Sequence, residues 1–222
     1  MSRKRVAFVN TVTTLPAVFK ALVNELAPQI DMFNIVDESL LQDTIRSGEL
    51  SKLTIRRLVS YLSLAQQAGA DLIMVTCSSI GPAADIGRLL VDIPVLRVDE
   101  AMAERALEYG SRIGVAATLA TTLKPTAELI QRKAAEAGKN STIVSKLCAG
   151  AFEALSAGDT ALHDCLVAQG LKELMSDVDV VVLAQASMAR IVDALLPSDK
   201  TRPILSSPRL AVERLAKMIE MN

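Results

Sequence analysis

The sequence is poor in aromatic residues. Phe, Trp and Tyr make up 3% of the 222 residues, whereas 50% are hydrophobic. The expected core is therefore aliphatic and rich in alanine, and it can belong to one large α/β domain or to two smaller ones. No stretch approaches the roughly 18 consecutive apolar residues that a transmembrane helix needs, so we expect no membrane-spanning segment.

The sequence also lacks a strong excess of either charge and a regular set of cysteines. It has 24 Lys and Arg against 25 Asp and Glu, and no basic cluster beyond residues 3–5. This balance argues against nucleic acid or an anionic membrane as a partner. Three irregularly spaced cysteines suit reduced thiols better than a disulfide framework, so we expect a cytoplasmic protein.

Motifs for metals and cofactors are missing as well. There is no Cys-x-x-Cys, no His-Glu-x-x-His and no Gly-Lys-Ser/Thr after Gly81 or Gly87, and the turn at residues 10–15 contains no glycine. We therefore expect no metal and no cofactor, with the chemistry done by side chains. The single histidine, His163, is expected to be solvated. Cys148 and Cys165 are expected to fill space in the core or on a helix surface.

Apolar strand-like runs alternate with amphipathic helical patterns along the whole chain. Continuous apolar strands separated by helices are typical of a parallel sheet covered on both faces, so the predicted fold class is α/β. The predicted strands are Arg5–Asn10, Ile30–Ile35, Asp71–Thr76, Val95–Val98, Arg112–Ala116, Thr142–Ser145, Asp179–Leu183 and Ile204–Ser206.

The chain contains an internal repeat. The strand and turn at 70–81 recur at 178–189 with an offset of 108, which pairs Cys77 with Gln185. Similar matches near residues 5 and 94 have offsets of 107 and 109. The repeat predicts two pseudosymmetric lobes, 1–105 and 106–222. The last helix, about 208–222, can cross back and pack on the first lobe. A single doubly wound sheet is the alternative.

Four turns of similar composition follow predicted strands. In parallel α/β sheets, ligands bind beyond the carboxyl ends of the strands, where hydroxyls and backbone N–H groups at helix N-termini can hold an anion. The alternative is that these Ser and Thr residues only cap helices. The turns lie at 10–14, 76–79, 117–122 and 185–187.

Cys77 is the candidate reactive group. It stands where a strand ends and a helix is expected to begin, and helix N-termini lower thiol pKa values. We therefore expect the pKa of Cys77 to be lowered, so that its thiol can transfer a proton or attack an electrophilic carbon. The alternative is an inert small residue in a tight turn.

At these turns the chain resembles the aspartate/glutamate/hydantoin racemase superfamily of cofactor-independent enzymes. The turn 75–79 is similar to the family's first catalytic-cysteine turn, and 183–189 is similar to the hydantoin racemase turn Leu-Gly-Cys-Ala-Gly-Met-Ala. Further matches are the Asn/Thr turn at 10–11, the strand and threonine at 113–118 and the last strand at 203–205.

The resemblance implies an active site in the cleft between two lobes and, commonly, a homo-oligomer. Carried over, Cys77 is the acid/base or nucleophile, and Gln185, where the second cysteine belongs, orients the substrate. The residues expected to bind a small carboxylate are Asn10, Thr11, Ser78, Ser79, Thr118 and Ser187.

Because an amide cannot reprotonate a carbanion, three outcomes follow. The first is racemisation with Ser187 or a water as the second proton donor. The second is a single-cysteine decarboxylase-like or maleate-isomerase-like reaction, and the third is a carboxylate-binding protein without a reaction.

Overall fold

The computed structural model describes residues 3–195 and 197–220. The chain divides into two compact units, the first formed by Met1–Glu100 with Pro208–Asn222 and the second by Ala101–Ser207. Among the described residues, no helix has the length and apolar character needed to cross a membrane.

The first unit contains a four-stranded parallel sheet with the strand order β2-β1-β3-β4. Its helices start and stop at recognisable signals: the Ser51 side chain caps α3 by accepting from Thr54 N–H, and Gly48 ends α2 in the left-handed conformation. The elements of this unit are β1 (Arg5–Asn10), α1 (Leu15–Leu26), β2 (Asp31–Val36), α2 (Ser39–Ser47), α3 (Lys52–Gln67), β3 (Leu72–Val75), α4 (Gly81–Gly87), β4 (Val95–Arg97) and α10 (Ser207–Glu220).

Both faces of this sheet are covered. Val6 and Phe8 of β1 pack in one apolar cluster with α1 and α10, whereas Ala7 and Val9 pack in a second cluster with α3 and α4. This alternation explains why β1 is apolar at consecutive positions, as expected for a strand buried on both sides. Residues 221 and 222, which the predicted final helix included, lie outside the described residues.

The second unit repeats this arrangement with the sheet order β6-β5-β7-β8, again all parallel. Val181 and Leu183 of β7 pack against α8 residues such as Leu171 in the core of this unit. Its elements are β5 (Arg112–Ala117), α6 (Ala120–Glu136), β6 (Thr142–Leu147), α7 (Ala151–Ser156), α8 (Thr160–Met175), β7 (Val180–Leu183), α9 (Ala189–Ala194) and β8 (Ile204–Ser206), preceded by α5 (Glu100–Ala106).

The predicted α/β class is confirmed, and the two sheets have equivalent strand orders. All eight predicted strands are present, with shifted ends: β6 continues to Leu147 rather than ending at Ser145. α2 was not predicted. A helix was expected after the Cys77 turn, where α4 lies, but no bounds were predicted for α4 or for α9, because seven and six residues are too few to show a helical period.

Candidate active site

Cys77 lies between β3 and a short 3-10 helix at Ser78–Ile80 that leads directly into α4. Its backbone is extended, with φ −125° and ψ 116°, so Cys77 is the last extended residue before the 3-10 helix. Ser78 and Ser79 are buried, while Cys77 keeps partial exposure. The turn therefore combines a partly exposed cysteine residue with a buried base.

Burial raises the pKa of the Cys77 thiol above its usual range. The Thr11 side chain and the backbone amides of Ile80 and Ser79 act in the opposite direction, but they do not outweigh the loss of solvation. The expectation of a lowered pKa is therefore wrong for the free protein. The turn does supply the predicted stabilising groups, but burial has the larger effect.

Asn10 supports this turn through a buried hydrogen-bond network. Its Nδ2 donates to Phe8 O at 3.1 Å and to Asn34 Oδ1 at 3.0 Å. Its Oδ1 lies 2.9 Å from the Thr76 hydroxyl, which is also 3.1 Å from Val9 O. Both amide protons of Asn10 are thus used within the protein. The network joins the ends of β1, β2 and β3 directly beside Cys77.

Thr11 differs from Asn10 because its hydroxyl is not used in this way. The side chain is buried, yet Thr11 Oγ1 makes no hydrogen bond of ordinary geometry within the described residues. The Thr11 side chain lies beside the Cys77 thiol and acts to lower the pKa of that thiol. Sulfur is a weak hydrogen-bonding partner, so the buried Thr11 hydroxyl is poorly satisfied, which makes Thr11 a candidate for contacting a ligand.

The equivalent turn of the second unit is built around Gln185. Gln185 Oε1 accepts from Thr118 N–H at 2.6 Å and from the Thr118 hydroxyl at 3.0 Å. A short 3-10 helix at Ala186–Met188 and then α9 follow, as after Cys77. Ser187 is exposed, and the buried hydroxyl Oγ1 of Thr121 has no hydrogen-bond partner within the described residues.

Sheet register shows that the two turns occupy equivalent positions. Val9 pairs with Val75 in the first unit, and Ala116 pairs with Leu183 in the second. Cys77 and Gln185 each follow two residues after the paired strand residue. In the first unit, the predicted site residues that lie near Cys77 are Asn10, Thr11, Ser78 and Ser79. In the second unit, Thr118 contacts Gln185.

His163 is not solvated, contrary to the prediction. Its side chain has 0% exposure, and its Nδ1 lies 2.8 Å from Asp164 Oδ1 and 3.2 Å from Arg190 Nη2. Although burial acts to raise it, the pKa of Asp164 is lowered by His163 and Arg190. The polar neighbours in the sequence predicted an exposed helix face, but α8 turns this position inward.

The other cysteines agree with their predicted space-filling roles. Cys148 is buried in the apolar core of the second unit, where a Cβ on Gly170 would lie 2.6 Å from its Sγ. Cys165 is exposed on α8.

A buried charge cluster behind the Cys77 turn was not predicted. Arg97 on β4 is 3% exposed and pairs with Asp99 and Asp85. An arginine inside an otherwise apolar strand, two residues before an aspartate, was the signal available in the sequence. A second cluster joins Asp37 to Arg57 and Tyr61 after β2.

Two four-stranded parallel sheets of one strand order, each with a small-residue turn into a 3-10 helix, define a duplicated α/β architecture. The family model for Asp/Glu/hydantoin racemase matches residues 9–215. The chain therefore belongs to the Asp/Glu/hydantoin racemase family, and the predicted membership and racemase-family enzyme class are confirmed. A comparison with curated proteins gives no significant match.

Solved structures share the fold at low sequence identity. Glutamate racemase isoform RacE1 from Bacillus anthracis has a TM-score of 0.76 at 16% identity, with 100% of this chain and 83% of that chain covered. Glutamate racemase from Francisella tularensis in complex with D-glutamate has a TM-score of 0.75 at 17% identity, with 100% and 83% covered.

Allantoin racemase from Klebsiella pneumoniae is a third similar structure. Its TM-score is 0.71 at 17% identity, and 98% of this chain and 88% of that chain are covered. At such identities the likeness establishes the fold and leaves the substrate to be inferred from the residues of this chain.

Proposed function

We propose that the protein is a racemase- or isomerase-type enzyme that acts on the carbon next to the carboxylate of a small acid, an amino acid or a hydantoin-like compound. Cys77 is the acid/base group. The observation that carries this proposal is the placement of the thiol of a partly exposed Cys77 beside the Thr11 side chain and the amides of Ser79 and Ile80. Family membership supports the same reaction class.

The carboxylate is held by hydroxyl and backbone N–H donors. Thr11 supports this assignment best, because its buried hydroxyl lies beside the Cys77 thiol and makes no other hydrogen bond within the described residues. Ser78, Ser79 and Ser187 supply further donors, and Gln185 orients the substrate. Such donors stabilise the enediolate that forms when the Cα proton leaves, provided that they are fixed in advance. Thr118, whose N–H and hydroxyl both donate to Gln185, contributes by fixing that side-chain amide. Asn10, with its amide protons engaged by Phe8 and Asn34, contributes by fixing the turn.

The proton balance requires a second group. In racemisation, a Cys77 thiolate takes the Cα proton and becomes a thiol, and a proton is delivered to the opposite face of the enediolate. Gln185 has no usable proton, so Ser187 or a water is the donor. The prediction that one substrate is approached by both turns stays part of the proposal.

A second candidate function is a single-cysteine reaction, favoured by the raised pKa of Cys77. A thiol that is protonated at neutral pH is suited to donate. In decarboxylation of a substituted malonate, loss of CO2 leaves an enediolate, and the Cys77 proton moves to its carbon. The resulting thiolate regains a proton from solvent. In a maleate-type isomerisation, which needs the thiolate and is not favoured by the raised pKa, Cys77 adds to the double bond, the new single bond rotates, and loss of the thiolate restores the double bond.

The remaining assignments follow the same proposal. The ligand is a small carboxylate, the protein acts in the cytoplasm with reduced cysteines, and it forms a homo-oligomer, as is usual in the resembled family. Size-exclusion chromatography with light scattering measures the last of these.

The test is proton NMR in D2O with a panel of amino acids, hydantoins, maleate and substituted malonates. Exchange of an α-proton that is lost in Cys77→Ala and retained in Cys165→Ala supports Cα–H chemistry. The optical rotation of the product reports whether the second face is protonated. Decarboxylation or cis–trans conversion selects the second candidate function.

Two results contradict the enzyme proposal. Full turnover by Cys77→Ala would remove Cys77 as the reactive group. Saturable carboxylate binding that is insensitive to thiol alkylation, with no reaction of any panel member, would favour a binding protein.

A further inference from the structure

Arg97 sits in a buried ion cluster on β4. Its Nε donates to Asp99 Oδ1 at 2.9 Å and its Nη2 to Asp99 Oδ2 at 2.8 Å, so this pair is bidentate. Its Nη1 donates to Asp85 Oδ2 at 2.7 Å. Asp99 has 0% exposure. Buried charges in such geometry are held in one orientation, because loss of a partner would leave an uncompensated charge.

The guanidinium of Arg97 also lies against Gly81. A Cβ on Gly81 would be 2.5 Å from Arg97 Cζ and 2.6 Å from its Nε and Nη2. Gly81 has ordinary helical dihedral angles, φ −52° and ψ −43°, so the backbone conformation does not require glycine there. Glycine is required at position 81 because the Arg97 guanidinium occupies the space that a Cβ would need.

Gly81 is part of the Cys77 turn. Its backbone N–H donates to Ser78 O and so closes the 3-10 helix that follows Cys77. At the other end of the same segment, Val75 is paired in register with Arg97 itself, and Val98 N–H donates to Val75 O at 3.0 Å. Arg97 therefore contacts both the strand that leads into the turn and the helix that leaves it.

The described part of the second unit lacks this arrangement. Leu183, the counterpart of Val75, is paired with Ser206 instead of an arginine. The first residue of α9 is Ala189, where α4 begins with Gly81. The arginine–glycine contact thus occurs beside the turn that carries the cysteine and not beside the turn that carries Gln185.

We propose that Arg97 is a positioning residue for Cys77. Its guanidinium, held by Asp99 and Asp85, fixes the position of Gly81 by direct contact. The position of Gly81 in turn sets where the Ser79 and Ile80 amides lie relative to the thiol. This proposal rests on the proposed function only for the statement that Cys77 is the reactive group.

The test compares two substitutions in α4 that each add one methyl group. In Gly81→Ala the new Cβ collides with the Arg97 guanidinium, whereas in Gly87→Ala it collides with Leu62 Cδ1 in the apolar core. Gly87→Ala is therefore a control for general damage to α4. Arg97→Lys is the second test variant, because it keeps the charge but loses the flat bidentate group.

The readout is the rate of iodoacetamide alkylation of Cys77 as a function of pH, followed by peptide mass spectrometry, with Cys165 as an internal reference. We expect the midpoint for Cys77 to rise in Gly81→Ala and Arg97→Lys, with a rate at pH 8 about three- to tenfold lower, because the thiolate loses aligned amide donors. Cys165 should react unchanged, and Gly87→Ala should lower the melting temperature without moving the midpoint.

An unchanged midpoint in folded Gly81→Ala and Arg97→Lys would overturn the proposal, as would an equal shift in Gly87→Ala. If a substrate is found, kcat should fall about ten- to a hundredfold in the two test variants with KM less affected. The alkylation assay needs no turnover, so an active Cys77→Ala enzyme would refute the proposed function while the role of Arg97 is still decided by alkylation.

Discussion

The side-chain oxygen of Gln185 accepts two hydrogen bonds from one residue, at 2.6 Å from Thr118 N–H and at 3.0 Å from the Thr118 hydroxyl. This double contact fixes the amide and leaves its NH2 group as the donor. The second unit therefore carries a hydrogen-bond donor without acid/base capacity at the position equivalent to Cys77. This asymmetry is the basis of the first prediction.

Gln185→Cys should introduce or increase two-sided racemisation, because it places a second titratable thiol at the equivalent turn. The measurement is the exchange of the α-proton in D2O for each enantiomer of a substrate, together with optical rotation. Gln185→Ser is the matched control, since serine is similar in size to cysteine but its hydroxyl does not ionise near neutral pH. An unchanged stereochemical course in Gln185→Cys would argue against the pairing of the two turns.

Cys77 should react slowly with alkylating reagents at pH 7 in the free protein. Its pKa is raised by burial, so the thiolate fraction is small and increases only at a pH above the usual range of a thiol. The rate of iodoacetamide labelling from pH 6 to 10, compared with that of glutathione, measures this. A labelling rate of Cys77 that no longer increases above pH 7 would show that its pKa is lowered instead.

Asn10→Ala should destabilise the protein by about 2–4 kcal/mol. The substitution removes a fully buried side chain, leaves the Asn34 amide oxygen without its partner and leaves the Thr76 hydroxyl with Val9 O alone. Urea denaturation followed by circular dichroism gives the free energy of unfolding. Asn140→Ala, at an exposed position, is the control. A change of less than about 0.5 kcal/mol in Asn10→Ala would show that the network contributes little to stability.

Asp37 should contribute stability at neutral pH that is lost in acid. Burial acts to raise its pKa, but hydrogen bonds from Ser39 and Tyr61 and the charge of Arg57 lower it overall. Because the folded-state pKa is depressed, the contribution is present above the unfolded-state pKa of about 3.9 and disappears as the pH falls through the folded-state value.

The measurement for Asp37 is the free energy of unfolding of the wild type and of Asp37→Asn between pH 2 and pH 7. We expect Asp37→Asn to be about 1–2 kcal/mol less stable at pH 7, and the difference to shrink below about pH 4. Asp31→Asn, at an exposed position, serves as the control. A difference that is independent of pH would place the effect in packing rather than in the charge.

The sequence was sufficient for the α/β architecture. Apolar strands with a constant offset near 108 predicted the α/β class and the equivalence of Cys77 and Gln185, and the register of β1 with β3 and of β5 with β7 agrees with that equivalence. Such patterns are local: a strand buried on both faces is apolar at consecutive positions whatever else the chain does.

The tertiary structure decided what surrounds those residues. The raised pKa of Cys77, the burial of His163 and the contact of Arg97 with Gly81 depend on segments that are distant in sequence or on which face of an element is covered. Desolvation in particular is the sum of all atoms packed around a group. A local motif names the donors beside a thiol, but only the packed fold determines whether those donors outweigh the water that the thiol has lost.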